Sequence, residues 1–189
     1  CVDSLATYTM AVWIDSNGSI GNLGSAGIVN LTSDRYGILL GEDQYSYATI
    51  EQLGGGGTVN IVSGAGTYGI RVQTHAPVAI GTIASNGGKV TINSPSYGIY
   101  MYSGTKIACI GGENGTVEMT TGSTAIYLAA GAEIETIANG GKVTINSSSY
   151  GIYMNPGAII DHIGGENGIV EITSSYMSLY MVGDATNGG

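Results

Sequence analysis

Few side chains in this 189-residue chain have the types and spacing that catalysis or metal binding requires. The two histidines, His75 and His162, are 87 positions apart and form no zinc-binding motif. Asp161 and His162 form the only adjacent acid–histidine pair, but neighbouring side chains on a β-strand point to opposite faces. The same geometry separates Glu42 from Asp43. No serine occurs in a Gly-x-Ser-x-Gly nucleophile motif. We therefore predict no catalytic residue, no metal site, no cofactor and no enzymatic activity.

The remaining chemical candidates favour structural roles. The phrase Gly-Gly-Glu-Asn-Gly occurs at 111–115 and 164–168, but it lacks the aspartate of calcium-binding glycine-rich repeats, so we interpret it as a corner turn. Cys1 and Cys109 are expected to be too far apart for a disulfide. Cys109 is expected to be a small buried residue. Cys1 is expected to be a cut end, with the acylated first residue of a lipoprotein as the alternative.

Composition excludes several classes of partner. The chain has 14 acidic and 5 basic residues, for a net charge of −9, and the basic residues are scattered. Nucleic acid and anionic membranes are therefore poor partners. No apolar run is long enough to span a bilayer, so we expect no direct membrane insertion. With 33 glycines and 43% apolar residues, the chain is expected to form short strands joined by tight corners.

Three short apolar phrases recur along the chain in a constant order. One has a central aliphatic residue at positions 12, 38, 70, 99, 126, 152 and 179, so its spacing is 26–32 residues. Its clearest copies read Tyr-Gly-Ile, as at 97–99 and 150–152. The second reads Val-x-Ile, Val-x-Leu or Val-x-Met, and the third has two aliphatic residues three positions apart. Each phrase alternates with period two and is bounded by Gly, Asn or Ser, which is typical of strands.

Three strands per repeat predict a coil. We predict an all-β fold, a right-handed single-stranded parallel β-helix with three strands per rung and about seven rungs of 26–32 residues. Val90 and Val143 lie 53 residues apart, as do Ile110 and Ile163, so two rungs form a 53-residue double repeat. We expect residues 1–189 to be a single β-solenoid domain, a fragment of a longer repeat protein.

One outward column of the first strand is aromatic in most rungs. It reads Trp13, Leu39, Arg71, Tyr100, Tyr127, Tyr153 and Tyr180. Strict alternation predicts a second outward column with almost no side chains, composed of Ala11, Gly37, Gly69, Gly98, Ala125, Gly151 and Ser178. The aromatic column either stabilises the sheet by stacking or forms a contact face. The candidate contact residues are Trp13, Tyr100, Tyr127, Tyr153 and Tyr180.

Short apolar strands, Gly-Gly corners and phrases such as Gly-Gly-Lys-Val-Thr-Ile-Asn-Ser resemble the β-helical passenger domains of bacterial autotransporter adhesins, which have a pectin-lyase-like β-solenoid fold. The resemblance implies an extracellular location on the bacterial cell surface. It implies a non-enzymatic structural or adhesive segment that binds a glycan or protein of a host or bacterial surface. One alternative is a fibre subunit that binds other copies of itself through open ends. A weaker one is a fragment of a carbohydrate-active β-helix enzyme, which would require long loops and clustered acids.

Overall fold

A computed structural model describes residues 9–42, 46–74 and 76–183. Within these ranges the chain forms a parallel β-solenoid of about six turns, with about 27 residues per turn and no helix. The all-β coil predicted from the repeats is therefore confirmed. Cys1, Asp43 and His75 lie outside the described residues.

The coil contains nineteen described strands, most of them five or six residues long. In chain order they are β1 (Met10–Ile14), β2 (Ser19–Leu23), β3 (Ile28–Thr32), β4 (Tyr36–Leu40), β5 (Thr49–Gly55), β6 (Thr58–Val62), β7 (Tyr68–Val72), β8 (Ile80–Ser85), β9 (Lys89–Ser94), β10 (Tyr97–Met101), β11 (Lys106–Ile110), β12 (Thr116–Thr121), β13 (Ile126–Leu128), β14 (Glu133–Ile137), β15 (Lys142–Ser147), β16 (Tyr150–Met154), β17 (Ile159–Ile163), β18 (Ile169–Ser174) and β19 (Met177–Met181).

Every third strand joins the same parallel sheet. Sheet A has the order β1-β4-β7-β10-β13-β16-β19, sheet B runs from β2 to β17 and sheet C from β3 to β18. The seven expected rungs correspond to the seven strands of sheet A, whereas sheets B and C have six strands each. The register also follows the repeat, because Ile152 pairs with Ile126 on one side and Leu179 on the other.

The core is a set of stacked aliphatic columns. The inward positions of the middle rungs are fully buried, as Ile99 in sheet A, Ile107 in sheet B and Val117 in sheet C show. Each such residue has an aliphatic equivalent directly above it and another directly below it in the neighbouring rungs, so aliphatic side chains pack on one another along the coil. Burial of these columns stabilises the coil by about 25 cal/mol for each Å² of apolar surface that is removed from water.

Two of the three corners in each turn have a recurring chemistry. The turn from sheet B to sheet C begins with a residue of positive φ in all six copies: glycine in four, and Ala84 (φ 56°) and Ala138 (φ 61°) in two. In three of the four Asn-Gly corners the asparagine also has positive φ, with Asn114 at 54° as an example, whereas in the fourth Gly140 (φ 75°) adopts it and Asn139 does not. The corner from sheet C to sheet A holds a buried column of hydroxyl side chains: Ser33, Ser63, Ser94, Thr121 and Ser147.

Candidate contact face on sheet A

The four tyrosines of the predicted column lie on successive rungs of sheet A. Tyr100 pairs with Tyr127, Tyr127 with Tyr153, and Tyr153 with Tyr180. The ring centroids of Tyr100 and Tyr127 are 4.5 Å apart with an interplanar angle of 12°, and those of Tyr127 and Tyr153 are 5.2 Å apart at 11°. Parallel strands place identical residues at the same register, so the rings stack along the coil.

Trp13 occupies the same column but stands apart from the tyrosines. It is 51% exposed and pairs with Leu39, which pairs in turn with Arg71 before the column reaches Tyr100. Leu39 was expected to point outward like its neighbours, yet it is only 2% exposed. The column therefore contains a covered apolar rung between Trp13 and the tyrosines.

The second outward column predicted from strict alternation is wrong. Its members on the middle rungs are buried: Gly37, Gly69, Gly98, Ala125 and Gly151. A Cβ on Gly151 would collide with the Ile172 side chain of sheet C and lie 2.5 Å from the Ser178 carbonyl oxygen. Glycine therefore faces the packed interior here, and the tyrosines have no bare backbone strip beside them.

The reason is a break in alternation at the glycine. Tyr97 and Tyr100 are both partly exposed, whereas Gly98 and Ile99 between them are both buried. The ladder pairs Tyr97 with Tyr68 and then continues from Ile99, which leaves Gly98 out of the register. The first tyrosine of the Tyr-Gly-Ile phrase thus lies outside, although strict alternation would send it inward with Ile99.

This break creates a second tyrosine column that the sequence interpretation missed. Tyr97 lies 5.3 Å from Tyr68 and 5.3 Å from Tyr100, centroid to centroid. Ten of the thirteen tyrosines form one connected network with centroid distances of 4.5–5.8 Å. We call this network the tyrosine face; its members are Tyr36, Tyr68, Tyr97, Tyr100, Tyr102, Tyr127, Tyr150, Tyr153, Tyr176 and Tyr180.

Stacking determines which parts of the tyrosine rings a partner can contact. Nearly parallel rings with centroids 4.5 Å apart must overlap, so the rings of Tyr100 and Tyr127 cover each other's faces. Their edges and hydroxyl groups remain for a partner. Burial is the main cause that raises the pKa of Tyr100, and the neighbouring phenols Tyr127 and Tyr102 raise it further. The pKa values of Tyr68 and Tyr150 are raised too, with burial as the main cause. These phenols therefore stay protonated and can donate hydrogen bonds.

Arg71 is embedded at one end of the tyrosine face. Its Nη1 donates to the Tyr36 hydroxyl at 2.7 Å, and its Nη2 donates to the Tyr102 hydroxyl at 2.8 Å and to Gln73 Oε1 at 2.6 Å. The guanidinium carbon lies 5.1 Å from the Tyr36 ring centroid and 4.9 Å from that of Tyr102. Arg35 lies over the Tyr36 ring as well, at 4.7 Å.

The other residues considered for chemistry do not converge. Cys109 faces outward on β11, between Thr82 and Thr136 of adjacent rungs, and is half-buried, so the expectation of a buried core residue is wrong. Burial raises the pKa of its thiol. Asp161 and His162 are both exposed on β17. Among the described residues no three His, Cys, Asp or Glu side chains are grouped so that they could hold a metal ion.

Comparison with known proteins adds no relative. No protein-family model, curated protein or solved structure matches this chain. In the part of the chain that the structure describes, no helix is long and apolar enough to cross a membrane. What the fold establishes is a parallel β-solenoid with an aromatic face.

Proposed function

We propose that this chain is a non-enzymatic structural and adhesive segment of a secreted or cell-surface bacterial protein, and that the tyrosine face is its contact surface. The observation that carries the proposal is the ten-tyrosine network on one side of the coil. The repeat pattern of the chain resembles that of autotransporter passenger domains, and this resemblance supports a location on the cell surface. Tyrosine suits recognition because it combines a rigid ring with a hydroxyl at low entropic cost.

The geometry favours an extended glycan as the partner. Tyr100, Tyr127 and Tyr153 repeat at the strand spacing of about 4.8 Å, which is comparable to the length of one sugar in an extended chain. Because the stacked ring faces cover one another, recognition would depend on the hydroxyl groups and ring edges. The strands of sheet A contain no Asp or Glu, so hydrogen bonds to sugar hydroxyls there would come from phenol groups and not from carboxylates.

The test removes the hydroxyls without removing the rings. We expect the triple variant Tyr100→Phe, Tyr127→Phe, Tyr153→Phe to melt like the parent and to lose binding to immobilised glycans and to cells. The corresponding triple Ser variant should lose binding and also some stability, because cross-strand aromatic pairs contribute about 0.2–1 kcal/mol each. Thr91→Val with Thr144→Val, on the outer face of sheet C, is the control. Full binding by both tyrosine triples would contradict the proposal.

End-to-end self-association is a second candidate. Among the described strands, β17, β18 and β19 each pair with a neighbour on one side only, and a strand paired on one side can pair with another copy on the other. Seven large apolar side chains of this rung are exposed: Ile159, Ile163, Ile169, Tyr176, Met177, Leu179 and Met181. Sedimentation that rises with concentration, and falls back in a Met181→Glu variant, would favour this candidate. A single species at all concentrations would contradict it.

A further inference from the structure

Arg71 differs from every lysine of the chain in its counter-charge. Each lysine ammonium lies 2.6–2.8 Å from a glutamate carboxylate; the pairs are Lys89–Glu118, Lys106–Glu133, Lys106–Glu135 and Lys142–Glu171. Arg71 has no such pair among the described residues, and its three hydrogen bonds go to neutral oxygens. Its positive charge is therefore not compensated by the described part of the chain.

The surroundings of Arg71 make that charge an attractive partner for an anion. Aromatic rings at 4.9 and 5.1 Å stabilise the guanidinium and hold it in place, but they supply no negative charge. The Arg71 Nε is buried and has no acceptor. A cation that is partly removed from water gains more from an oxyanion than an exposed one does, because the local dielectric constant is lower.

Unused donors remain around this cation. A guanidinium has five N–H groups, and Arg71 uses one on Nη1 and two on Nη2, which leaves one on Nη1 besides the buried Nε. The hydroxyl of the half-buried Tyr102 accepts from Arg71 and still has its own proton to donate. Tyr36 is only 4% exposed, and its hydroxyl holds the guanidinium from the buried side. The free N–H on Nη1 and the Tyr102 hydroxyl, beside one positive charge, are the elements of an oxyanion site.

We infer that Arg71, held in place by Tyr36 and flanked by the Tyr102 hydroxyl, forms a subsite for an oxyanion, a carboxylate or a sulfate ester, on the glycan that the tyrosine face binds. The inference rests on the proposed function and specifies its ligand class. Arg71 pairs directly with Tyr100, so a chain lying along Tyr153, Tyr127 and Tyr100 reaches it one rung further on. The strands of sheet A contain no Asp or Glu, so no carboxylate within these strands competes with the oxyanion for Arg71.

The experiment compares matched ligands on matched variants. The ligands are a glucuronic acid oligomer, its methyl ester, the neutral glucose oligomer of the same length and that oligomer bearing sulfate esters. Calorimetric titration should show that the parent binds the acid about tenfold more tightly than the ester. Arg71→Gln should abolish this preference, so that the variant binds the acid and the ester with equal affinity. Lys142→Gln removes the same charge from an ion pair on sheet C and should retain the preference.

Each outcome decides the question. Equal affinity of the parent for acid and ester, with no gain from sulfation, would overturn the subsite; neutral binding that still depends on the tyrosine hydroxyls would leave the proposed function intact. Equal losses in Arg71→Gln and Lys142→Gln would show an effect of bulk charge and would also overturn it. A preference for the sulfated oligomer alone would assign the oxyanion to sulfate. Thermal melting of Arg71→Gln and of Arg71→Lys, which keeps the charge without the planar fork, checks that folding survives.

Discussion

The outer face of sheet A and the outer faces of sheets B and C share one backbone but differ in chemistry. The strands of sheets B and C contain six acidic residues: Glu51, Glu118, Glu133, Glu135, Asp161 and Glu171. The seven strands of sheet A contain none, and their only ionic residue is Arg71. All the lysine–glutamate pairs lie on B and C, whereas A has the tyrosine face.

The interiors of the three sheets show no such difference. Ile152 of sheet A, Ile134 of sheet B and Val143 of sheet C are all fully buried in equivalent columns. The contrast shows that inward residues specify the coil, whereas outward residues specify its chemistry one face at a time. A solenoid can therefore concentrate recognition on one side without altering its fold.

The largest expected effect is the loss of stability when a charge is placed at an inward position instead of an outward one. Ile152→Asp places an unpaired carboxylate between Ile126 and Leu179, and we expect it to lower the free energy of unfolding by about 3–5 kcal/mol or to prevent folding. Thr82→Asp, on the outer face of sheet B between the uncharged Gln52 and Cys109, should have little effect. Denaturant titration of both variants measures the difference. An Ile152→Asp protein as stable as Thr82→Asp would contradict the division into inward and outward columns.

A smaller effect tests the glycines of sheet A. Gly151→Ala introduces a Cβ against Ile172 and the Ser178 carbonyl, and we expect a loss of about 1–3 kcal/mol from overpacking. Gly21→Ala is the matched control on sheet B, where the nearest atom to the new Cβ is a Glu51 carboxylate oxygen at 3.8 Å. Thermal melting compares the two. Equal melting temperatures would restore the outward glycine column that strict alternation predicted.

The smallest effect is a difference in pH response. Because the folded protein raises the pKa of Tyr100 above its usual 10.0, the associated stability is complete below about pH 10 and is lost as pH rises through the folded value. Lys142 lowers the pKa of Glu171 below its usual 4.5, so that stability is present above this value and is lost as pH falls. Sheet A should therefore weaken in alkali and sheet C in acid.

Melting across alkaline pH, followed with tyrosinate absorbance, measures the contribution of sheet A. The triple variant Tyr68→Phe, Tyr100→Phe, Tyr150→Phe lacks the three phenols whose pKa is raised, so its stability should fall less steeply above pH 10. Glu171→Gln should leave this alkaline loss unchanged. A triple variant that follows the parent at every alkaline pH would show that the tyrosine face does not control it.

Much of the fold could be predicted from the sequence because buried positions repeat. Aliphatic residues such as Ile126, Ile152 and Leu179 recur at the turn length, and their stacking requires a definite register. The orientation of Gly98 and Gly151 could not be predicted in this way. Glycine has no side chain, so hydropathy does not indicate which face it occupies, and the break in alternation leaves no signal of its own.

The site was predictable only in part. Tyr100, Tyr127 and Tyr153 share one strand position, so alignment of the repeats predicts that they are neighbours, as they are in the structure. Arg71 obtains its partners from Tyr36 and Tyr102, which lie 35 and 31 residues away on neighbouring rungs. Tyr36 is the first residue of β4, whereas Tyr102 follows the last residue of β10. No spacing rule connects such residues. The signal in the sequence was that a charged residue, Arg71, occupies a strand position that is aromatic in most other rungs.

The stacking of rungs has a mechanical consequence. Strands pair only with the rungs before and after them, so the ladder hydrogen bonds run along the coil axis. Tension along that axis would load these bonds rung by rung, and release of one turn of about 27 residues would add about 90 Å of extended chain. We therefore expect the chain to lengthen in steps under load. The rungs that remain coiled keep their tyrosines stacked, so most of the tyrosine face persists after the first turn has been released.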